Sequence, residues 1–355
     1  MKDPVKKIRT AVVGLGYVAT CRHIPTMEES GLYEIAGVID RHPGRAKELA
    51  AKKGYANYAE TDDLEKVEWL EDVEAVTVSV DPQCHYKIIK SALSLGKHVL
   101  TEKPFAMKIE EGEELVKLAR SKGLKLGIVH NFQFSNSASS LVRDIGSGKI
   151  GKIRSITAVQ FCNPERRAPD WCNTLPLGLF YDESPHFFYL ISRLAPGELT
   201  FVGADVYPST MGRPTPALIN VRFKCSRGGE NIPVTMNMNF ESPISEWHVM
   251  VAGENYLGDI DVFRDIYVRL PNDGEHLTHK VFRTTLLATW QHLSQHLTMG
   301  IGHLAGKLRY GNEKIFGYFA RAILDNTEVQ YIGPEEALKV LRLMHEVLGK
   351  SKLIT

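Results

Sequence analysis

A lysine follows a predicted buried strand at a position where its charge can act on a bound oxygen. Residues 97–101 predict a strand, and Glu102, Lys103 and Pro104 follow it directly. An ammonium there can donate a hydrogen bond to a hydroxyl oxygen and favour its alkoxide. Most lysines are solvated surface residues. Because this one stands between a buried strand and a rigid proline, we interpret Lys103 as catalytic.

A second group with acid-base chemistry lies in residues 180–190. Ser184 is a good helix N-cap and Pro185 suits the first helical position, which predicts that His186 lies in the opening turn. The helix dipole there disfavours the imidazolium, as a general base requires. Asp182, just ahead of that turn, can orient the imidazole or bind a substrate hydroxyl. By residue type alone, a structural histidine at a helix start is an equally good interpretation.

The element that positions a cofactor is predicted at the N-terminus. The apolar run of residues 7–13 reads as a buried strand that ends in Gly14-Leu15-Gly16-Tyr17-Val18-Ala19. Gly14 permits a tight turn, Gly16 lets the backbone approach a pyrophosphate, and Ala19 allows close helix packing. Asp40 ends the second apolar run, about 20 residues later, where a carboxylate binds the adenosine ribose. The ordered set predicts a dinucleotide site.

These residues do not decide whether the adenosine ribose of the cofactor carries a 2′-phosphate. Asp40 favours the free ribose hydroxyls of NAD, because a 2′-phosphate would meet a carboxylate. Arg41, directly after it, can accommodate that phosphate. We therefore predict NAD and leave NADP open.

Strands alternate with helices up to about residue 130, which predicts a doubly wound parallel sheet in a first domain of residues 1–130. Pro25 is expected to interrupt its first helix. Ligands of such sheets bind beyond the carboxyl ends of the strands. The residues predicted at those ends are Gly14, Asp40, Asp81, Lys103 and Asn131.

Residues 131–355 are predicted to form a second, α+β domain for substrate binding and oligomerisation, whose C-terminal helix packs back on the first. Residues 234–240 alternate strictly, which indicates a large, mainly antiparallel sheet with one open face. Gly228-Gly229 and residues 272–274 predict hairpin turns. A face bearing Met and Asn is an unusual one to leave solvated, so we predict a homodimer or homotetramer through it.

Predicted helices cover residues 284–308, 313–324 and 335–348. The first has an apolar face with almost no charge, which favours core or partner packing over membrane contact. That face consists of Leu286, Leu287, Trp290, Leu293 and Leu297.

Composition excludes several classes of protein. The 43 Lys and Arg residues balance 42 Asp and Glu residues, giving a net charge of +1 and no basic footprint for nucleic acid. Five scattered cysteines, with no Cys-x-x-Cys pair, favour reduced thiols over disulfides or a zinc site. Neither a signal segment nor an apolar run of membrane-spanning length is seen. We expect a soluble, cytoplasmic protein with a small-molecule substrate.

Three weaker candidates lie near the Asp182 cluster. Arg166 and Arg167 can clamp a phosphate or carboxylate, and Trp171 is a further candidate substrate contact, although a solvated loop is the simpler interpretation.

His292 and His296 have metal-ligand spacing on a helix. Because no third ligand accompanies them, we predict no metal site.

Four stretches together resemble the family of glucose-fructose oxidoreductase, inositol dehydrogenase and MocA (Gfo/Idh/MocA). They are the Gly14–Ala19 turn, His85 after Asp81-Pro82, the block Gly96–Pro104, and Asp182-x-x-x-His186. The resemblance implies a Rossmann domain followed by a domain with a large open sheet. It implies the catalytic set Lys103, Asp182 and His186, and a cis Lys103–Pro104 bond. The candidate cofactor contacts are Gly14, Gly16, Tyr17, Val18, Ala19, Asp40, Arg41, Asp81, His85, Glu102, Lys103 and Asn131.

The chain departs from the family pattern on the substrate side. The family's glycine-rich segment ahead of the aspartate is reduced here to residues 176–178. Ser184 replaces the family's following glycine, and Tyr189 stands at a position that is commonly acidic in the family. We expect an NAD(P)-dependent dehydrogenase or reductase for a secondary alcohol or ketone of a sugar, polyol or nucleotide sugar. The alternatives are a non-catalytic NAD(P)-binding regulator and an NAD-dependent glycosidase of the same fold.

Overall fold

The computed structural model describes residues 6–304 and 309–354, and these form two compact units. The first unit contains the described residues up to Asn131 together with Gly311–Arg342. The second contains the described residues of Phe132–Tyr310 and those from Leu343 onward. Residues 311–342 thus pack in the first unit although they follow most of the second in sequence.

The helices and strands are numbered in chain order. The helices are α1 (Ile24–Ser30), α2 (Arg45–Lys53), α3 (Pro82–Ser94), α4 (Ile109–Ser121), α5 (Asn136–Gly146), α6 (Leu179–Leu194), α7 (Thr278–Leu304), α8 (Asn312–Leu324) and α9 (Pro334–Lys350). The strands are β1 (Ile8–Val13), β2 (Tyr33–Ile39), β3 (Asn57–Ala59), β4 (Ala75–Val78), β5 (His98–Thr101), β6 (Leu126–Ile128), β7 (Ile153–Phe161), β8 (Glu198–Tyr207), β9 (Leu218–Arg227), β10 (Glu230–Asn239), β11 (Glu246–Gly253), β12 (Tyr256–Asp261), β13 (Ile266–Pro271) and β14 (Lys352–Leu353).

The first unit is built on a parallel sheet, as predicted. Its strand order is β3-β2-β1-β4-β5-β6, and each neighbouring pair runs parallel. Val12, Val76 and Val99 are fully buried, because helices cover both faces of such a sheet. The order reverses between β1 and β4, and this is where a doubly wound sheet forms its ligand crevice.

The first helix does not stop at Pro25, which corrects the sequence prediction. Residues Ala19–His23 form a π-helical turn in which the Ile24 N–H donates to the Ala19 carbonyl, and α1 continues from it through Pro25. Proline has no N–H to donate, so the helix accommodates it directly after a turn that already departs from the α-helical pattern. This turn buries His23 in the first unit.

The second unit is built on a mixed, mainly antiparallel sheet, which confirms the predicted fold class. Its strand order is β13-β12-β11-β7-β10-β9-β8-β14; β10 runs parallel to β7 and β14 parallel to β8, and the other neighbours are antiparallel. Gly228 and Gly229 form the predicted β9–β10 hairpin turn, with φ of 58° and 83°.

The second predicted hairpin is wrong. Residues 272–274 connect β13 to α7, and the Asn272 side-chain oxygen accepts the Gly274 N–H at 2.8 Å. Asparagine and glycine favour such a local turn whether a strand or a helix follows. The sequence therefore predicted the turn correctly, but a helix follows it instead of the second strand of a hairpin.

One face of the second sheet is covered and the other is open. Met236 and Met238 of β10 are buried, whereas Thr235 is exposed and Asn237 and Asn239 are half-buried. Because side chains alternate along a strand, Met and Asn lie on opposite faces. The expectation of one face bearing both is thus corrected: the open face carries the asparagines.

Helix α7 covers the backbone edge of β13. The Gln295 side-chain amide exchanges two hydrogen bonds with the Tyr267 backbone at 2.7 and 2.8 Å, and the Gln291 amide exchanges two with the Arg269 backbone at 3.0 Å each. Two glutamines one helical turn apart thereby replace a neighbouring strand. The helix begins at Thr278, ahead of the predicted start at Thr284, and its predicted end at residue 308 lies outside the described residues.

Across the described residues, no helix combines the length and the apolar character needed to span a membrane.

Candidate functional site

The glycine turn of the first unit has the geometry its sequence predicted. Gly14 has φ +84°, and a Cβ built there would lie 2.5 Å from the Ser79 carbonyl oxygen. A side chain at Gly14 would therefore collide with the backbone of Ser79, which directly follows β4. A Cβ at Gly16 would meet nothing within 4 Å. Packing within the chain requires only the first glycine, and the space beside Gly16 suits the approach of a ligand.

Asp40 binds the same turn from the end of β2. Its buried carboxylate accepts the Leu15 N–H at 2.8 Å, and its other oxygen accepts the His42 N–H at 2.8 Å and lies 2.8 Å from the His42 ring Nδ1. Burial alone raises the pKa of Asp40, but these donors and Arg45 outweigh it and hold the pKa below its ordinary value. The carboxylate is ionised and fixes the turn.

A pocket opens at the carboxyl ends of β1, β2 and β4. Its lining includes five of the predicted cofactor contacts, namely Gly14, Gly16, Asp40, Arg41 and Asp81. The Arg41 guanidinium donates to the Asp81 carboxylate at 2.9 Å. The turn, the acid and the open space fit a dinucleotide. Of the neighbouring candidates, Tyr17 and Val18 are exposed and Ala19 is buried.

The segment after β5 is tied to a buried histidine. The Glu102 carboxylate lies 2.9 Å from His23 Nε2, and His23 Nδ1 lies 2.9 Å from the Ser79 hydroxyl. Burial raises the pKa of Glu102, but His23 and Lys103 outweigh it and the pKa is lowered. The next residue, Lys103, is half-buried, and the Lys103–Pro104 peptide bond is cis.

Two further histidines of this unit are buried. His85 places Nδ1 2.7 Å from the Pro104 carbonyl oxygen and Nε2 3.0 Å from that of Val80. Its imidazole thus supports the segment that carries Lys103, and a direct cofactor contact of His85 stays a prediction. Burial lowers the pKa of His130 to about 3, so its ring is neutral beside the predicted contact Asn131.

In the second unit, Asp182 and His186 lie on one helix, Asp182 in its first turn and His186 in its interior. Helix α6 begins at Leu179, so Ser184 and Pro185 are interior and the predicted opening turn is wrong. The Leu179 N–H is capped by the Thr215 hydroxyl at 3.0 Å, a partner that is remote in sequence. Most of α6 is buried, and this packing tolerates a proline inside it. The dipole argument for His186 therefore fails.

His186 is oriented by a tyrosine instead. Its Nδ1 lies 2.7 Å from the Tyr189 hydroxyl oxygen, which accepts the Phe132 backbone N–H at 3.0 Å. The rings of Phe132 and Trp247 lie 4.8 and 5.5 Å from the imidazole. Asp182, one turn ahead, is half-buried on the same side of the helix. In the sequence, Tyr189 stands out only as a departure from the family pattern, although its spacing of three residues from His186 places both side chains on one face of a helix.

The three candidate substrate contacts in residues 166–171 have different surroundings. The Arg166 guanidinium contacts the buried Glu183 carboxylate, which also accepts a hydrogen bond from Gln160. Arg167 is exposed, and Trp171 lies half-buried in the short 3₁₀ helix Asp170–Thr174. Arg166 therefore has a structural partner next to Asp182. A substrate contact by any of the three stays a prediction.

Two groups of side chains in this unit are of residue types that can bind metal ions. Ligand atoms of Glu246, His248 and Asp261 lie within 4.8 Å of one another, but the Arg264 guanidinium bridges both carboxylates at 2.5 to 2.6 Å. A cation already neutralises this cluster. His292 and His296 line an open cavity together with the same Arg264.

Comparison with known proteins identifies the first unit. Residues 8–130 match the model of the GFO_IDH_MocA family, described as an oxidoreductase family with an NAD-binding Rossmann fold. An oxidoreductase of Schizosaccharomyces pombe is 35% identical over 147 residues, which are 41% of this chain and 40% of that protein. A dTDP-3,4-didehydro-2,6-dideoxy-alpha-D-glucose 3-reductase of Streptomyces violaceoruber is 32% identical over 213 residues, 59% of this chain and 60% of the relative.

The likeness in fold extends further than the likeness in sequence. The crystal structure of a 3-ketoreductase from Actinomadura kijaniata in complex with NADP covers 98% of this chain and 99% of its own, with a TM-score of 0.74 and 21% identity. The two curated relatives are matched over about two fifths and three fifths of their length. Residues 8–130 thus match the model of the Gfo/Idh/MocA oxidoreductase family with its NAD-binding Rossmann fold, in line with the resemblance in the sequence.

Proposed function

We propose that this protein is an NAD(P)-dependent oxidoreductase acting on a secondary alcohol or ketone of a sugar. The observation that carries the proposal is the pocket of the first unit, where Gly14 and the Asp40 carboxylate fix a turn at the carboxyl ends of β1 and β2. The family match covers these residues. A nicotinamide dinucleotide, when bound, exchanges a hydride with the substrate carbon.

The first unit supplies the groups for the cofactor. Backbone N–H groups of the Gly14–Ala19 turn suit the pyrophosphate, and Asp40 and Arg41 suit the adenosine ribose. Asp81 positions Arg41 through their ion pair at 2.9 Å. Because that pair occupies Arg41, we keep NAD as the proposed cofactor and NADP as the alternative. Glu102 positions its neighbour Lys103 by accepting the Lys103 N–H at 3.1 Å.

The proposed acid-base set is Lys103, Asp182 and His186, assigned by resemblance. Lys103 polarises the substrate oxygen, and His186 takes or gives the hydroxyl proton while Asp182 binds or orients. Tyr189 holds His186 at Nδ1, so proton exchange is assigned to Nε2. Tyr189 thus takes the orienting role that a carboxylate has in other acid-base histidines.

The substrate class we propose first is a nucleoside diphosphate sugar. The Streptomyces violaceoruber relative is named as a reductase of such a sugar, and the Actinomadura kijaniata structure as a 3-ketoreductase. Support within this chain comes from Arg213, which lines one cavity of the second unit together with Thr215; Arg166 lines the same cavity but also contacts the Glu183 carboxylate. Guanidinium groups recognise phosphate oxygens.

We also propose that two copies associate through the open face of the second sheet. Phe161 and Tyr207 project from β7 and β8 and remain exposed, which is costly for aromatic side chains in water. The cytoplasm is the proposed location, because all five cysteines are free thiols.

The test is a spectroscopic screen. Absorbance at the nicotinamide band is followed with NADH and NADPH against keto sugars linked to nucleoside diphosphates, and with NAD and NADP against the corresponding alcohols, polyols and free aldoses. Turnover with one nucleotide sugar supports the proposal. Tight cofactor binding without hydride transfer to any class contradicts it and favours a regulator.

A further inference from the structure

Helix α7 carries a continuous apolar stripe on its surface. Five large side chains, spaced four, four, three and four residues apart, remain half or more exposed, namely Phe282 at 65%, Leu286 at 56%, Trp290 at 66%, Leu293 at 50% and Leu297 at 60%. Isolated exposed apolar residues are ordinary, but a contiguous row of this kind marks an interaction surface.

Most of the stripe points away from the helix's own sheet, and Leu293, at the edge of the stripe, also lines the open cavity bordered by Ile266 and Leu270 of β13. Gln291 and Gln295 face β13 and bind its backbone. At about 100° of rotation per residue, the stripe lies roughly 150° around the helix from these glutamines. The stripe is therefore separate from the contact that holds α7 in the second unit.

The order of the residues fits a second copy of the same helix. Leu286, Trp290, Leu293 and Leu297 are spaced four, three and four residues apart, the spacing of the seam between paired helices. The set is also symmetric about the point between residues 291 and 292. An antiparallel pair related by a two-fold axis there sets Leu286 against Leu297 and Trp290 against Leu293, so that each large ring meets a smaller side chain.

We propose that α7 pairs with α7 of a second copy of this chain in that antiparallel register. Charge supports this occupant over others. Between Arg283 and Lys307 the sequence contains neither Asp, Glu, Lys nor Arg. Anionic membranes and nucleic acids are bound through basic residues beside the contact. The stripe is uncharged and matches a second copy of itself across a two-fold axis, so it needs no charged partner.

The expected association is modest. The stripe from Phe282 to Leu297 extends about 22 Å along the helix, and one helix pair of that length buries less than a standard interface. The pairing should therefore depend on protein concentration. It is also separate from the proposed contact through the open sheet, so a chain that uses both would form a tetramer.

The first experiment is analytical ultracentrifugation over about 1–100 μM, a range that covers micromolar dissociation constants. Leu293→Glu should halve the mean mass at concentrations where the wild type associates. The matched control is Ile244→Glu, since Ile244 is also about half exposed at 53% but lies outside the stripe; it should behave as the wild type. Circular dichroism must show that both variants fold. A wild type that stays monomeric, or a mass that Leu293→Glu leaves unchanged, overturns the proposal.

The second experiment tests the register. In the antiparallel pair, position 290 of one copy faces position 293 of the other. The double variant Trp290→Lys with Leu293→Glu should therefore regain association that Leu293→Glu alone loses, and lose it again in high salt. In a parallel pair the same changes set like charges against each other. A double variant that regains no association overturns the antiparallel register.

Discussion

The two units hold their candidate residues by different means. In the first unit, main-chain groups hold two candidate residues directly: the Leu15 N–H donates to Asp40, and the Pro104 and Val80 carbonyls bind the ring of His85. In the second unit, side chains hold side chains. His186 is oriented by the Tyr189 hydroxyl and enclosed by the rings of Phe132 and Trp247.

This difference decides how each site responds to change. A site made of backbone geometry depends on residue types that permit the geometry, so a single added methyl group can disrupt it. A site made of side-chain contacts keeps its fold when one contact is removed and loses the chemistry instead. Mutations should therefore separate binding from catalysis along the boundary between the units.

The largest expected effect is on catalysis and belongs to the second unit. His186→Ala removes the proposed acid-base group and should lower kcat by about 100- to 10,000-fold. The dissociation constant of the cofactor should stay near the wild-type value, because the pocket of Gly14 and Asp40 is untouched. Stopped-flow turnover and fluorescence titration measure the two quantities. His279→Ala, at an exposed histidine of α7, is the control. Full turnover by His186→Ala would remove this residue from the mechanism.

The next effect concerns pH, and the two units should respond in opposite senses. Burial lowers the pKa of His130 to about 3. A depressed histidine pKa means that the unfolded state takes up the proton first, so stability is present above pH 6.5 and is lost as the pH falls. Acidification from pH 6.5 to 4 should cost the first unit about 3 kcal/mol.

In the second unit the sign is reversed at His248. The hydrogen bond to Asp259 raises the pKa of His248, whose side chain is partly exposed. This contribution is complete below pH 6.5 and is lost as the pH rises through the raised pKa. Urea unfolding with pulsed hydrogen exchange, read separately on β5 and β11, measures both responses. His130→Gln should flatten the slope on β5, and His279→Gln should not; equal slopes for both units would contradict the assignment.

A smaller effect compares the two glycines of the turn. Gly14→Ala requires a φ of +84° and a Cβ 2.5 Å from the Ser79 carbonyl oxygen, so it should cost about 1–3 kcal/mol of unfolding free energy. At Gly16 the added Cβ meets open space. Gly16→Ala should therefore keep the melting temperature and weaken cofactor binding, because it fills the approach to the pyrophosphate. A Gly16→Ala variant that binds the cofactor as tightly as the wild type would place the pyrophosphate elsewhere.

The same contrast explains what the sequence could predict. Gly14, Asp40 and the alternating strands are local signals, so the parallel sheet and its pocket followed from residue type and spacing. The start of α6 did not, because its cap is the remote Thr215 hydroxyl and Pro185 is tolerated by burial. Ser184 and Pro185 are ordinary start signals in the wrong place. Likewise, α8 packs in the first unit through tertiary contacts such as that of the Tyr33 hydroxyl with the Phe316 carbonyl.

The smallest effect tests the side-chain support of His186. Tyr189→Phe keeps the ring and removes the hydroxyl that lies 2.7 Å from Nδ1. One lost hydrogen bond of about 1 kcal/mol corresponds to a rate decrease of roughly tenfold or less. The imidazole also loses the partner that biases its tautomer, so the pH profile of kcat should shift, whereas the KM for the cofactor should not. Tyr207→Phe, on an exposed tyrosine of the same unit, is the matched control. An unchanged pH profile in Tyr189→Phe would mean that the aromatic rings alone orient His186, and the contrast between the units would then rest on packing rather than on hydrogen bonds.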